Sequence, residues 1–321
     1  MDLIYMNEAK EDVGVLHDYI LDMAFGKDEN DFECQIVLGN HCCKEGYYLY
    51  SEGTEYGGII DDIYVDTDKD ELTYHGRTWH GILDSKVIEP DAGEDYLILS
   101  GDANEVLGTL ISRLGLGELF VASTDASGIT ISNYKMNRYI AGYQGIRKML
   151  KSFGGKLNIR FKNGMVELSA VPFLDYSKDE QFDTDQIEFV VKKKYHPINH
   201  VICLGQGDLA EREVIHLYTD SEGNLSHTQS LTGISEVTAI YENVNAGTSE
   251  ELEQGGMELI LESWESNEIS FDFNSNDETY DIGDIVGAKE YVTGIEVNAE
   301  ITKKIVTINN NSTTISYKVG E

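Results

Sequence analysis

The run from Gly46 to Trp79, GYYLYSEGTEYGGIIDDIYVDTDKDELTYHGRTW, constrains the fold more than any other part of the chain. Short β-favouring stretches around Tyr47–Tyr50, Gly57–Asp66 and Glu71–Gly76 are parted by polar clusters too short to hold a crossover helix. Strands joined so closely pair antiparallel, so this region is a meander, with DTDKDE (Asp66–Glu71) as a hairpin turn. Upstream, NDFECQIVL alternates Phe32, Cys34 and Ile36 with polar residues, as a half-buried strand does. Downstream, KLNIRF and MVELSAV flank Asn163-Gly164, a strong hairpin signal. The final run, YDIGDIVGAKEYVTGIEVNAEITKKIVTINNNSTTISYKVG, reads as a closing meander. Three prolines against 31 glycines and 19 tyrosines suit β structure with tight turns and domains packed without flexible linkers.

Helical spacing appears in three places. Val106, Leu107, Leu110, Ile111 and Leu114 line one face of Gly101–Gly117, with Asp102 or Asn104 as cap and Gly115 as stop. Ile146, Met149, Leu150 and Phe153 line one face of Gly142–Gly155, opposite Arg147, Lys148 and Lys151. Gly247–Ser266 is a third helix, weakened at Gly255-Gly256 by about 1 kcal/mol per glycine. With 321 residues, too many for one ordinary core, the pattern predicts an α+β but predominantly β chain in three parts. These are a first β region at 1–90, an α+β unit at 91–180 and a second β region at 181–321 carrying the helix at about 248–266.

The chain holds 58 acidic and 24 basic residues, a net charge of −34 spread along its length. Such a surface repels nucleic-acid backbones and anionic membranes, which excludes an ordinary DNA-binding protein but not a wall past which DNA slides. Neither an N-terminal signal pattern nor an apolar run of about 20 residues is present. Cys34, Cys42, Cys43 and Cys203 have no disulfide-framework spacing and read as reduced thiols. The vicinal pair in HCC (His41–Cys43) lacks a second ligand pair, so no metal is expected there. A calcium loop begun at Asp66 would need glycine and glutamate where Glu71 and Arg77 stand, and one begun at Asp272 meets Asp277 and Gly283. Gly205-Gln206-Gly207 lacks the third glycine of a dinucleotide fingerprint and the Gly-Lys-Ser/Thr of a phosphate loop, and reads as a corner between strands.

Glu71–Pro90, ELTYHGRTWHGILDSKVIEP, offers His75, Arg77 and His80 as candidates for chemistry. The two histidines stand five apart across a glycine and need not converge; His196 and His200 are separated by Pro197, which disfavours the helix that would align them. All eight histidines are therefore assigned surface or packing roles. In this reading Gly76 lets the strand leave its sheet, Trp79, Ile82 and Leu83 pack beneath the corner, and Trp79 makes a subunit contact. No catalytic, cofactor-binding or metal-binding residue is assigned.

Three stretches in order resemble the hub, or tail-associated, proteins at the tail tip of long-tailed phages and prophages: DMAFGKDENDFECQIVL, the acidic hairpin leading into LTYHGRTWHGILDSKVIEP, and NHVICLGQGDLAEREVIHLYTDSEG followed by a helix and the closing meander. GYQGIRKMLKSFGGKLNIRF lies between them. The resemblance implies two β-barrel-like tube domains with an inserted small α+β domain, and a homotrimer whose six similar units continue the tail tube. It implies distal-tail, tail-tube and tape-measure proteins as partners, DNA passing through the lumen, and a place at the virion tail tip after assembly in the bacterial cytoplasm. A chain ending at Glu321 just after a strand corresponds to a minimal hub without an enzymatic extension. The alternatives from the residues themselves are a tail-associated cell-wall glycan hydrolase, for which 58 carboxylates always supply some pair, and a calcium-dependent adhesion module.

Overall fold

The structure is a computed structural model that describes the chain apart from residues 1, 178–180, 184–188, 193–196, 222, 266–267, 276–279, 291, 310–311 and 321. Strand accounts for 46% and helix for 19% of it. The chain divides into a larger unit, residues 1–188 with 271–320, and a smaller unit, residues 189–270. The sequence boundary at 90 and the one at 180 both fall inside the first stretch of the larger unit.

In the larger unit one antiparallel path runs through Ser312–Gly320, Glu296–Asn309, Tyr19–Gly26, Asp31–Val37, Glu71–Thr78, Gly57–Asp66, Tyr48–Tyr50, Leu3–Met6 and Asp12–Leu16. Ile285–Lys289 adds to Glu296–Asn309 and takes Gln181–Asp183 as a parallel neighbour. The meander read from Gly46–Trp79 is therefore present, with DTDKDE as its hairpin. The last hairpin of the chain docks beside Tyr19–Gly26, a pairing that spans almost the whole sequence. Among the described residues no sheet closes on itself, so the barrel-like domains expected from the sequence are here open sheets.

Alternation decides the faces of this sheet. Leu21, Met23, Phe25, Phe32, Cys34, Ile36, Leu72, Tyr74, Val306 and Ile308 point inward and are buried. Against another part of the unit pack the helices α1 (Trp79–Asp84), α2 (Ala103–Arg113) and α3 (Gly142–Ser152), with the Gly155–Lys162/Met165–Pro172 hairpin. The Asp102 carboxylate accepts the Asn104 N–H at 2.9 Å and caps α2, whose Val106, Leu107, Leu110 and Ile111 are buried. Ile146, Met149 and Leu150 of α3 join them around Trp79 and Phe161.

The corner expected at Gly76 is different. The strand continues through Gly76 to Thr78, with Phe32 on one side and Ile60 on the other. A Cβ on Gly76 would lie 1.8 Å from the Ile59 carbonyl oxygen, so the glycine serves a close backbone approach and not an exit. Thr78 then caps α1 through its hydroxyl, which accepts from the Gly81 N–H, and Trp79 is wholly buried, stacked on Phe161 with ring centroids 5.6 Å apart. Trp79 is a core residue with no exposed surface for the subunit contact expected from sequence.

The smaller unit has a four-stranded sheet, Leu225–Ser226, Val214–Thr219, His200–Leu204 and Thr238–Glu242, with α4 (Ser249–Glu265) on one face. Val201, Cys203 and Leu217 meet Leu252 and Ile260 there. The glycine pair that weakens this helix has a packing reason: a Cβ on Gly256 would come within 2.2 Å of Cys203 Sγ.

Candidate functional site: an acidic sheet face and the charges behind it

The outward face of the long sheet collects carboxylates. Register places Thr307, Asp22, Glu33, His75 and Asp62 in one row across five strands, with Asp31 and Arg77 in the next. This follows from a period of two: on Tyr19–Gly26 and Asp31–Val37 the acids take the positions between the buried apolar residues. An open groove of about 680 Å³ runs here, lined by Asp22, Glu29, Asp31, Glu33, Asp61 and Asp62 together with His75 and Arg77. Asp22 and Glu33 are directly opposite, an arrangement that costs stability and so favours separation by solvent.

Two cations temper the face. A β-bulge between Ile60 and Asp62 turns Asp61 towards Arg77. The Arg77 Nη2 and Nε donate to its two carboxylate oxygens at 2.7 and 2.8 Å, and the hydrogen bonds from Arg77 hold Asp61 below the usual carboxylate range. Lys303 pairs with Glu29. His75 Nδ1 lies 3.4 Å from Glu33. Asp22, Asp31 and Asp62 have no cation within ion-pair distance among the described residues.

Behind this face the interior holds ionised groups. Lys304, 2% exposed, donates from Nζ to Glu55 Oε1 at 2.7 Å and lies 5.5 Å from the Tyr56 ring centroid. Burial alone would lower the Lys304 pKa, but the carboxylate of Glu55 and the neighbouring Asp281 outweigh it and raise it. The second oxygen of Glu55 is 3.6 Å from His80 Nε2. His80 is 3% exposed, packed between Phe25 and Tyr143, and burial pulls its pKa down to about 3. A neutral imidazole is the result. Lys156 Nζ sits 2.8 Å from Asp284 Oδ2 and 3.6 Å from Asp281 Oδ2. Burial holds both aspartates above the usual carboxylate range, and Glu55 adds to the effect at Asp281.

The structure thus separates the sequence candidates. His75 and Arg77 reach the acidic face; His80 points into the core. Tyr74 Oη lies 3.2 Å from His41 Nδ1 and accepts the N–H groups of Cys42 and Cys43 at 3.1 Å each. Burial raises the Cys34 thiol to about 12 and also raises Cys43. Among the described residues no three metal-ligating side chains converge. His196 and the Asp277 position of the second calcium test lie outside the described residues.

One cluster was not foreseen. In the smaller unit His200 Nδ1 is 2.7 Å from Glu236 Oε1, and His200 Nε2 is 2.8 Å from His216 Nδ1. His200 and His216 sit on neighbouring strands and Glu236 in the turn before a third, so strand register and that turn bring them together. Among the described residues no helix is long and apolar enough to cross a membrane.

No family model and no curated protein sequence matches the chain. Solved structures do. Prophage tail protein gp18 from Listeria monocytogenes is 12% identical with a TM-score of 0.58, covering 99% of this chain and 94% of that one. The 43 kDa tail protein of prophage MuSo2 from Shewanella oneidensis is 12% identical with a TM-score of 0.59, at 99% and 98% coverage. A tail protein from Neisseria meningitidis is 12% identical with a TM-score of 0.52, at 100% and 96% coverage. The chain has the fold of these prophage tail proteins over its whole length, as the three resembling stretches implied.

Proposed function

We propose that this chain is a structural hub of a phage-type tail tip. Three copies would surround a channel that continues the tail tube, with distal-tail, tail-tube and tape-measure proteins as neighbours and DNA passing during ejection. The observation that carries the reading is the exposed row across five strands of one sheet face in which Asp22, Glu33 and Asp62 supply carboxylates, with Asp31 in the next row. Turned to a lumen, such a face repels a polyanion within a screening distance of about 8 Å at physiological salt, so DNA passes without sticking. The tail-protein fold supports it. Open sheets support it too: the path ends at Asp12–Leu16, where Val13 and Val15 are 50% and 42% exposed, and an unpaired edge of this kind favours completion by a neighbouring copy. The two tube domains per subunit would then be closed by assembly. The role is mechanical, not enzymatic, and the location is the virion tail tip.

Light scattering and negative-stain imaging test this, on the full chain alone and mixed with the distal-tail and tail-tube proteins of the same virus. Rings of three copies with a central channel are expected. A monomer that binds neither partner and forms no ring in the mixture overturns the reading.

A further inference from the structure

We propose that Lys156 and Asp284 join in an intramolecular isopeptide bond, with Asp281 moving the protons. The three side chains meet in the larger unit, where the reacting pair is largely shielded from bulk water. The Lys156 and Asp284 side chains are 10% and 1% exposed, and Asp281, at 21%, lies on the outer side of the pair. Lys156 Nζ is already within 2.8 Å of one Asp284 oxygen, the proximity that turns a bimolecular condensation into a first-order one. The other oxygen, Oδ1, accepts the Leu174 N–H at 2.8 Å. That donor is fixed by the backbone and aimed where negative charge develops. The Asp281 N–H donates to Oδ2 at 3.1 Å, so the turn that holds the nucleophile's target also holds the proton carrier.

The step balances without any co-reactant. Lys156 begins as an ammonium and Asp284 as a carboxylate. One proton passes from Nζ through the Asp281 carboxyl to Oδ2, leaving a neutral amine and a carboxylic acid. The Nζ lone pair forms a bond to Cγ, and the C=O electron pair moves to Oδ1 against the Leu174 N–H. The carbonyl re-forms as the Cγ–Oδ2 bond breaks, and Oδ2 leaves as water after receiving a second proton from Nζ through Asp281. The products are a secondary amide with one N–H, one water and Asp281 in its starting state. A cavity of about 20 Å³ bordered by Lys156, Ile282, Gly283 and Tyr143 is large enough for that single water.

The placement gives the bond a purpose. The chain leaves the larger unit at residue 188 and re-enters it at 271. Lys156 lies before that excursion and Asp284 just after it. A covalent link between them fastens the returning segment to the strand Gly155–Lys162, so tension on residues 189–270 cannot peel it away.

Intact mass of the purified full chain under denaturing conditions is the test, followed by proteolytic mapping. A mass 18 Da below that of the linear sequence is expected, with a branched peptide linking Lys156 to Asp284. Lys156→Arg keeps the ion pair but lacks the reactive amine, and is expected at full linear mass with native circular dichroism. Asp281→Asn is expected to fold and to remain linear or to lose water at least tenfold more slowly. The linear mass as the sole wild-type species after days at neutral and mildly acidic pH overturns the proposal. So does an 18 Da deficit that maps to other residues or persists in Lys156→Arg.

Discussion

Replacing Lys304 by methionine tests the buried charges behind the acidic face. Lys304 and Glu55 are 2% and 5% exposed, with Nζ 2.7 Å from Oε1, and neither has bulk water to fall back on. Removing the ammonium leaves the Glu55 carboxylate in the core beside the neutral His80, 3.6 Å away. Breaking one partner of such a pair costs about 3–5 kcal/mol. The double variant Lys304→Met/Glu55→Gln removes both charges and keeps the volume, so it is expected within about 1 kcal/mol of the wild type. With a urea m-value of about 3 kcal/mol/M, the single variant's unfolding midpoint falls by roughly 1–1.5 M and the double variant recovers most of the loss. Urea titration at pH 7 by circular dichroism measures both, and a double-mutant cycle gives the coupling. The reasoning is refuted if Lys304→Met loses less than about 1 kcal/mol, or if the double variant is as unstable as the sum of the singles.

The remaining predictions concern the same unit. His80 has a folded pKa near 3, below its unfolded value, so its contribution is complete above about pH 6.5 and is lost as pH falls from there towards 3, at about 1.4 kcal/mol per unit; urea midpoints of His80→Gln are expected to be flatter across that window. Asp281 behaves oppositely: burial raises its folded pKa above the unfolded value, so its burial penalty is full above the folded pKa and fades as pH falls through it, and in a Lys156→Arg background, where no cross-link can form, adding Asp281→Asn is expected to raise the urea midpoint by an amount that shrinks as pH falls. Trp79→Ala is expected to destabilise the larger unit by about 3–5 kcal/mol, read as an earlier melt of the isolated chain rather than as a selective assembly defect. On the acidic face, Asp22→Asn/Glu33→Gln relieves a directly opposed like-charge pair and is expected to stabilise by about 0.2–1 kcal/mol at low salt, with the gain vanishing in 1 M NaCl.

How much of this could be read from residues alone depended on distance along the chain. α2, α3 and α4 were legible because a stripe of apolar residues lies within a dozen positions, reinforced in α2 by the cap at Asp102. The hairpins at Asp66–Glu71 and Asn163-Gly164 were legible because turn chemistry is local. Gly76 and Trp79 were misread for the complementary reason: a glycine that admits the Ile59 carbonyl and a glycine that ends a strand look alike in one dimension. The acidic face lies between these cases. The alternation of Asp22, Asp31 and Glu33 with buried neighbours is visible in sequence, but only register across strands turns scattered acids into a continuous face. The polar clusters needed contacts that one dimension does not give. Lys304 and Glu55 are joined by packing, and His200, His216 and Glu236 by two strand registers and the turn before a third strand. A lysine in the alternating run ITKKIVTIN normally reads as a solvated position, yet Lys304 takes the inward one. The same run nevertheless contains the clue in retrospect: strict alternation with Val306 and Ile308 commits Lys304 to the core face, so a buried carboxylate had to exist somewhere in the chain to meet it.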